Sequence, residues 1–125
     1  MQFEKPILLV TFNRPDTTKK VLEAIANVQP KKLYVFSDAP REGNENDTVM
    51  VGAVRDLFMN LNWEVELHTK FENRNLGCAK GVSSAISWIF ETEKQAIILE
   101  DDCLPNNAFF DFCSQMLDRY ENSDQ

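Results

Sequence analysis

The sequence predicts an α/β fold in which helices cover both faces of a mainly parallel sheet, giving a three-layer sandwich. Strand and helix signals alternate four times along the 125 residues, and such alternation is typical of a parallel sheet. The segments between successive strands are long enough for right-handed helical crossovers. Hydrophobic residues make up 43% and charged residues 26% of the chain, the usual balance for a globular protein. We therefore predict a single domain over residues 1–125.

The first half of the chain contains two strand–helix units. The apolar segment Ile7–Phe12 predicts a buried first strand, and Pro15 suits the first turn of a helix because an N–H has no partner there. Leu33–Ser37 predicts the second strand, and the polar loop 41–47 separates it from the second helix. Both helices are indicated by apolar residues at helical spacing, namely Val21, Leu22, Ile25 and Val28 in the first and Val51, Val54, Phe58 and Leu61 in the second.

The second half of the chain repeats this arrangement. Trp63–His68 alternates apolar and polar residues, as expected of a half-covered strand near the sheet edge. Ala96–Leu99 is apolar throughout and predicts a fourth strand that is buried on both faces. The third and fourth helices are predicted from apolar faces formed by Val82, Ala85, Ile86 and Ile89 and by Phe109, Phe112, Met116 and Tyr120. Because only one helix and a polar tail follow the fourth strand, we expect the chain to be a fragment of a longer protein.

Three consecutive carboxylates, Glu100, Asp101 and Asp102, follow the predicted fourth strand. An isolated carboxylate in an apolar interior is costly, so these side chains should lie where the strand leaves the sheet. In open α/β sheets the carboxyl ends of the strands are where ligands bind. Adjacent carboxylates repel one another unless a cation neutralises them, and oxygen ligands suit Mg²⁺ or Mn²⁺. The alternative is a solvated strand end without a ligand.

Further polar residues are predicted at the same edge of the sheet. Asn13 and Arg14 follow the first strand and Asp38 follows the second. Asn13 could instead cap the first helix, and Asp38 could shape a turn. Together they fit a nucleotide, because Asp38 can accept a hydrogen bond from a base or ribose and Arg14 can face a pyrophosphate. Arg74 offers a bidentate guanidinium to phosphate, and Gly77 lets the backbone approach a ligand closely.

Several other classes of function are disfavoured. The net charge of −7 opposes nucleic-acid binding, and no stretch approaches the roughly 20 apolar residues of a membrane helix. The sequence lacks the glycine-rich phosphate motifs of dehydrogenases and P-loop NTPases and the Gly-x-Ser-x-Gly turn of serine hydrolases. The single histidine, His68, excludes a histidine-based metal cluster, and we expect it at the surface. Without a signal-peptide pattern we expect a cytoplasmic location, with three reduced, small and buried cysteines at Cys78, Cys103 and Cys113.

Four motifs in register resemble the nucleotide-diphospho-sugar transferases of the GT-A fold. The segment Thr11–Pro15 is similar to that family's first strand and loop, and Asp38 matches the acid that contacts the base. Asn73–Gly77, with Ala79 and Gly81, is similar to the Asn/Gly-rich segment that precedes the central helix. Ile98–Asp102 resembles the metal-binding Asp-x-Asp signature in a Glu-Asp-Asp form. That form resembles the N-acetylglucosaminyltransferase I-like branch and some bacterial glycosyltransferase family 2-like proteins.

The resemblance implies a Rossmann-like donor domain of the GT-A type. Such a domain binds a nucleoside diphosphate sugar, with a UDP-sugar favoured, and transfers the sugar to a hydroxyl of a glycan or another acceptor. By this resemblance Asp102 coordinates Mn²⁺ or Mg²⁺ directly, and Arg74 lies near the diphosphate. The implied substrate-binding residues are Thr11, Asn13, Arg14, Asp38, Arg74, Gly77, Glu100 and Asp101. The family's catalytic base and acceptor site have no counterpart after Leu104, so no catalytic residue is predicted.

Two alternatives remain open on the sequence alone. The chain could be non-catalytic and bind a nucleotide or a partner protein without turnover. An alternating α/β chain of this size could also be a phosphoacceptor receiver domain, which needs an acidic pair after the first strand and an Asp after the third. This chain has Asn13 and Arg14 at the first position and His68 and Thr69 at the second. An unfinished sheet could in addition expose an edge that supports self-association.

Overall fold

The computed structural model describes residues 2–122 and confirms the predicted alternation of strands and helices. Its elements are, in order, β1 (Ile7–Thr11), α1 (Pro15–Val28), β2 (Lys32–Ser37), α2 (Glu45–Asp56), β3 (Glu66–Phe71), α3 (Cys78–Ile89), β4 (Ile97–Glu100) and α4 (Asn107–Asn122). The strands form one parallel sheet with helices on both faces, so the predicted α/β three-layer architecture is confirmed. Within residues 2–122, no helix has the length and apolar character needed to cross a membrane.

The strand order in the sheet is β3-β2-β1-β4, and every neighbouring pair is parallel. The chain moves outward from β1 through β2 to β3, and β4 then pairs with the other side of β1. The order therefore reverses between β1 and β4, and ligands of open α/β sheets bind at the carboxyl end of such a switch point. A receiver domain has β1 between β2 and β3. The observed order excludes that alternative.

The two faces of the sheet carry cores of different size. The larger core lies where α1, α2 and α4 cover the sheet, and its buried residues are Ile7, Leu9, Val21, Leu22, Ile25, Leu33, Val35, Val54, Phe58, Ile97, Leu99 and Phe110. The smaller core lies under α3, and its buried residues are Leu8, Val10, Tyr34, Phe36, Ala85 and Ile89. Successive residues of a strand face opposite sides of the sheet. The central strands β1 and β2 are therefore buried on both sides.

The prediction that the fourth strand is buried on both faces is wrong. Ile97 and Leu99 are buried in the larger core, but Ile98 on the opposite face is 36% exposed. The smaller core under α3 includes buried residues of β1 and β2 but none of β4. A short apolar segment predicts a buried strand but not whether both of its faces are covered. That depends on where the helices of the whole chain lie.

The buried face of α4 is displaced by one residue from the prediction. Phe109 and Phe112, which we expected to face inward, are 37% and 61% exposed. Met116 is half-buried, and the side chain of Tyr120 lies outside the described residues. The residues that pack into the larger core are Phe110, Cys113 and Leu117. Both sets have helical spacing, so periodicity alone does not distinguish them.

The third strand begins later than predicted, at Glu66, and continues to Phe71. Trp63 lies before it and donates a hydrogen bond from Nε1 to the Pro30 carbonyl at 3.0 Å. The predicted edge position is confirmed, because β3 pairs with β2 on one side only and its residues are half-buried or exposed. His68 lies within the strand and stacks on Tyr34, with the ring centroids 4.6 Å apart, while part of it stays exposed. This surface position agrees with the prediction for the single histidine.

Thr18 on α1 has a buried hydroxyl without a hydrogen-bond partner in the described part of the chain. We expect Thr18→Val to raise the free energy of unfolding by about 1 kcal/mol, because valine keeps the shape and removes an unpaired polar group. Urea denaturation followed by circular dichroism measures the change. Thr17→Val, at a half-buried neighbour, should stay within about 0.5 kcal/mol of the wild type. A clear loss of stability in Thr18→Val would contradict the unpaired state of its hydroxyl.

Candidate functional site

A pocket of about 570 Å³ lies at the carboxyl ends of β1, β2 and β4, at the switch point of the sheet. Its volume is in the range of small-ligand sites. All the predicted site residues except Arg74 line it, namely Thr11, Asn13, Arg14, Asp38, Gly77, Glu100, Asp101 and Asp102. The remaining lining residues are Val10, Phe12, Phe36, Arg41, Asn75, Cys78, Gly81 and Val82. The fold thus brings together residues that are far apart in the sequence.

The residues at the end of β1 and directly after it are held by contacts within the chain. Thr11 is buried and donates from Oγ1 to the Phe36 carbonyl at 2.8 Å. Asn13 does not cap α1, because the N-cap residue is Arg14 and no side chain caps this helix. Asn13 instead donates from Nδ2 to Oδ1 of Asp47 on α2 at 3.0 Å. The capping interpretation of Asn13 is therefore wrong.

Asp47 is a buried carboxylate that was not predicted to take part in the site. It is fully buried, and it accepts hydrogen bonds from Arg41 Nε at 2.6 Å and from Arg41 Nη2 at 2.9 Å. It also accepts from the Arg41 backbone N–H at 3.0 Å. The Arg41 guanidinium holds the pKa of this carboxyl well below its usual range, against the opposing effect of burial. Asp47 therefore ties the loop after β1 and the loop after β2 to the start of α2.

The sequence does contain a signal for Asp47. It shares the apolar stripe of α2 with Val51 and Val54, at intervals of four and three residues along the helix. A charged residue on a buried stripe needs a partner, because an unpaired buried charge is costly. The partner, Arg41, lies in an irregular loop without periodicity. The spacing could therefore have identified the carboxylate but not the arginine.

Asp38, at the end of β2, is saturated by donors from its own chain. It is 6% exposed, and its Oδ1 accepts from the backbone N–H of Ala39 at 2.8 Å and of Leu76 at 2.9 Å. Its Oδ2 accepts from the Gly77 N–H at 3.1 Å and from Asn75 Nδ2 at 3.3 Å. A carboxylate has about four acceptor positions. Asp38 thus fastens the β3–α3 loop to the end of β2, and its contact with a base stays a prediction.

Arg55 of α2 fixes the ends of β2 and β3 close to this loop. It donates from Nε to Oγ of Ser37 and from Nη2 to the Glu72 carbonyl, both at 2.9 Å. Its guanidinium also lies over the Phe71 ring, 4.9 Å from the centroid. Burial lowers the pKa of Arg55, while the carboxylates of Asp38 and Glu72 oppose this shift. The β2 side of the pocket is therefore anchored to α2.

The carboxylates after β4 form the other side of the pocket. Glu100 and Asp102 are exposed, whereas Asp101 is half-buried. Burial raises the pKa of Asp101, and the Phe12 backbone and the Arg14 guanidinium oppose this shift. The neighbouring carboxylates of Asp102 and Glu100 raise it further. This side of the pocket thus concentrates negative charge that a bound cation would stabilise.

The carboxylates on the β4 side bear on the predicted Mg²⁺ or Mn²⁺ site. Within residues 2–122, no group of three or more His, Cys, Asp or Glu side chains is placed to hold a metal. Mg²⁺ is usually bound through one or two carboxylates together with substrate phosphates, rather than by a cage made only of protein. Asp102 and Glu100 supply carboxylates of that kind at the pocket. The metal site at Asp102 stays a prediction that involves the ligand's own oxygens.

The loop before α3 contributes a glycine and a cysteine to the pocket, but not Arg74. Arg74 is exposed and lies outside the pocket lining. Gly77 is the N-cap residue of α3 and has a φ of 86°, a conformation that favours glycine. Cys78 is exposed at the pocket and Cys103 is also exposed, so the prediction of buried cysteines is wrong for both. Cys113 is half-buried, and all three thiols are free.

The pocket lining combines cationic, amide, carboxylate and apolar side chains. No protein-family model matches this chain. Among the curated proteins and the solved structures compared with it, no match was found either.

Proposed function

We propose that this chain is the donor-binding domain of a glycosyltransferase and binds a nucleoside diphosphate sugar with Mg²⁺ or Mn²⁺. The observation that carries the proposal is the switch-point pocket, which Arg14 and Arg41 line together with the carboxylates of Glu100, Asp101 and Asp102. Guanidinium groups match phosphate oxygens, and a hard divalent cation joins phosphate oxygens to carboxylates. A ligand with a diphosphate and a bound metal uses both kinds of side chain.

Each part of the donor has a partner in this proposal. Arg14 donates to the diphosphate, and Asp102 holds the metal together with Glu100 or Asp101. When bound, the metal supplies Lewis-acid stabilisation of the diphosphate leaving group. Asn75 lines the pocket next to the saturated Asp38; its Nδ2 donates to Asp38 and to the Ala39 carbonyl, and its Oδ1 accepts from the base or the ribose in this proposal. The apolar lining that contacts the flat or uncharged parts of the donor consists of Val10, Phe12, Phe36 and Val82.

The proposed reaction transfers the sugar from the diphosphate to an acceptor hydroxyl. The acceptor oxygen forms a bond to the anomeric carbon, the bond from that carbon to the diphosphate oxygen breaks, and the hydroxyl proton passes to a base. The residues of this chain are assigned to donor binding only. Binding is therefore the activity to measure first.

Calorimetry with UDP tests the proposal directly. We expect UDP to bind in the presence of Mn²⁺ and to bind at least about tenfold more weakly without the metal, a difference of about 1.4 kcal/mol. Asp102→Ala should abolish this dependence on Mn²⁺, because it removes the predicted metal ligand. Asp56→Ala removes an exposed carboxylate at the end of α2, outside the pocket, and serves as the matched control.

Two outcomes would contradict the proposal. Binding of UDP that is equally tight with and without Mn²⁺, and unchanged in Asp102→Ala, would favour the non-catalytic nucleotide-binding alternative. A folded chain that binds no nucleoside diphosphate at all would exclude the donor site. Circular dichroism spectra of each variant establish that it is folded before the comparison is made.

A further inference from the structure

Arg41 presents an unused hydrogen-bonding edge at the switch-point pocket. Its Nε and Nη2 donate to Asp47 at 2.6 Å and 2.9 Å, which leaves Nη1 without a hydrogen bond to any described residue. The side chain is 57% exposed although its carboxylate partner is fully buried. The guanidinium therefore has one edge fixed to the protein and another open to a ligand.

The surroundings of Arg41 hold the guanidinium in one orientation. Asp47 is bonded to both the backbone and the side chain of Arg41 and to Asn13. Its own backbone N–H donates to Oδ1 of Asn44, the N-cap residue of α2, at 2.9 Å. The guanidinium lies 5.7 Å from the centroid of the Phe12 ring. An arginine that is already ordered loses little conformational entropy when it binds a ligand.

The sequence assigned phosphate contacts to Arg14 and Arg74, but the fold leaves Arg74 outside the pocket and places Arg41 in its lining. The lining contains two cationic residues, Arg14 and Arg41. The charge of Arg41 is balanced by Asp47. Its contribution is therefore a set of directed, charge-assisted hydrogen bonds rather than a net positive field.

We propose that Arg41 is an anion-binding residue of this pocket and donates from Nη1 to a phosphate oxygen of the ligand. The inference rests on the proposed function, because that function makes a diphosphate the natural ligand. Arg41 is a binding residue in this role, and Asp47 and Asn13 position it. Arg74 does not take part.

Inorganic pyrophosphate with Mg²⁺ isolates the phosphate contact, because it has neither base nor sugar. Arg41→Gln alone would leave a buried charge without its partner, which is strongly destabilising. Both proteins in the comparison therefore carry Asp47→Asn. One has this change alone, and the other has Arg41→Gln in addition. Arg74→Gln, at an exposed arginine outside the pocket, is the matched control. Binding is followed by ¹H–¹⁵N NMR titration of pyrophosphate, including the Arg41 Nε resonance of the wild type.

We expect the double variant to bind pyrophosphate about tenfold more weakly than Asp47→Asn. Arg74→Gln should match the wild type within about twofold. In parallel calorimetry Arg41→Gln should weaken UDP but not uridine in the same background. Three outcomes would each overturn the assignment of Arg41. The Asp47→Asn variant and the double variant could bind pyrophosphate equally, or Arg41→Gln could weaken UDP and uridine equally. The third outcome is a wild type that binds no pyrophosphate. Pyrophosphate binding at Arg41 without Mn²⁺-dependent UDP binding would leave this inference standing and refute the glycosyltransferase proposal alone.

Discussion

Replacing Asp38 with alanine is expected to lower the free energy of unfolding by about 3 kcal/mol, because it leaves backbone N–H groups of the β3–α3 loop without acceptors. The donors that lose their partner include the amides of Leu76 and Gly77. Asn75 would also lose a contact that fixes its amide at the pocket. Urea denaturation measures the stability, and hydrogen exchange at Leu76 and Gly77 reports release of the loop. Nucleotide binding should weaken together with that release.

Asp38→Asn provides the graded control for this prediction. Asparagine keeps one acceptor oxygen in the same position, so we expect about half of the stability loss and partial protection of the loop amides. Asp56→Ala, at an exposed carboxylate, should stay within about 0.5 kcal/mol of the wild type. If Asp38→Ala kept its stability and loop protection but lost UDP binding, Asp38 would act on the ligand itself rather than on the loop.

Phe110→Ala is expected to lower the free energy of unfolding by about 4 kcal/mol. Phe110 is fully buried in the larger core, and its ring meets the Phe3 ring edge-on with the centroids 5.6 Å apart. Its removal leaves a cavity between α4, the N-terminal segment and the sheet. Domains of this size are stable by only about 5–15 kcal/mol, so the change is a large part of the total. Urea and thermal denaturation both measure it.

Phe112 on the same helix gives the matched comparison, since it is 61% exposed. We expect Phe112→Ala to change the stability by no more than about 0.5 kcal/mol. A loss in Phe112→Ala as large as that in Phe110→Ala would mean that α4 packs through the stripe predicted from the sequence. The pair of variants therefore shows which face of α4, that of Phe110 or that of Phe112, packs against the larger core.

The order of the elements was predictable because each strand and helix has its own local pattern. The burial of β4 was not, because it depends on where α3 lies, and α3 packs over β1 and β2. The inward face of α4 was also missed, since Phe109 and Phe110 are adjacent and either can continue a helical stripe. Local patterns thus determine what an element is, while its neighbours determine which side is buried.

The candidate site was predictable where it depends on strand ends and not where it depends on loops. The carboxyl ends of parallel strands share one edge, so Asn13, Asp38 and Asp102 could be placed together from the alternation alone. Arg41 reaches the pocket because the loop after β2 folds back onto α2 through Asp47. Arg74 misses it because its loop is held through the backbone at Leu76 and Gly77, which leaves the arginine in solvent. Contacts between loops are not marked by a repeating pattern of residues, so the sequence did not predict them.

The two sides of the pocket differ in how much they can reorganise. On the β2 side, Asp38 and Arg55 join backbone groups of two strand ends and a loop. On the β4 side, Glu100 and Asp102 are exposed, and the described part of the chain forms no side-chain hydrogen bond to either of them. In the proposed complex, we expect the anchored side, with its fixed shape, to select among bases and sugars. We expect the acidic side to adjust its oxygen positions to cations of different radius. Selectivity for the organic ligand and tolerance toward the cation would then come from opposite sides of the pocket.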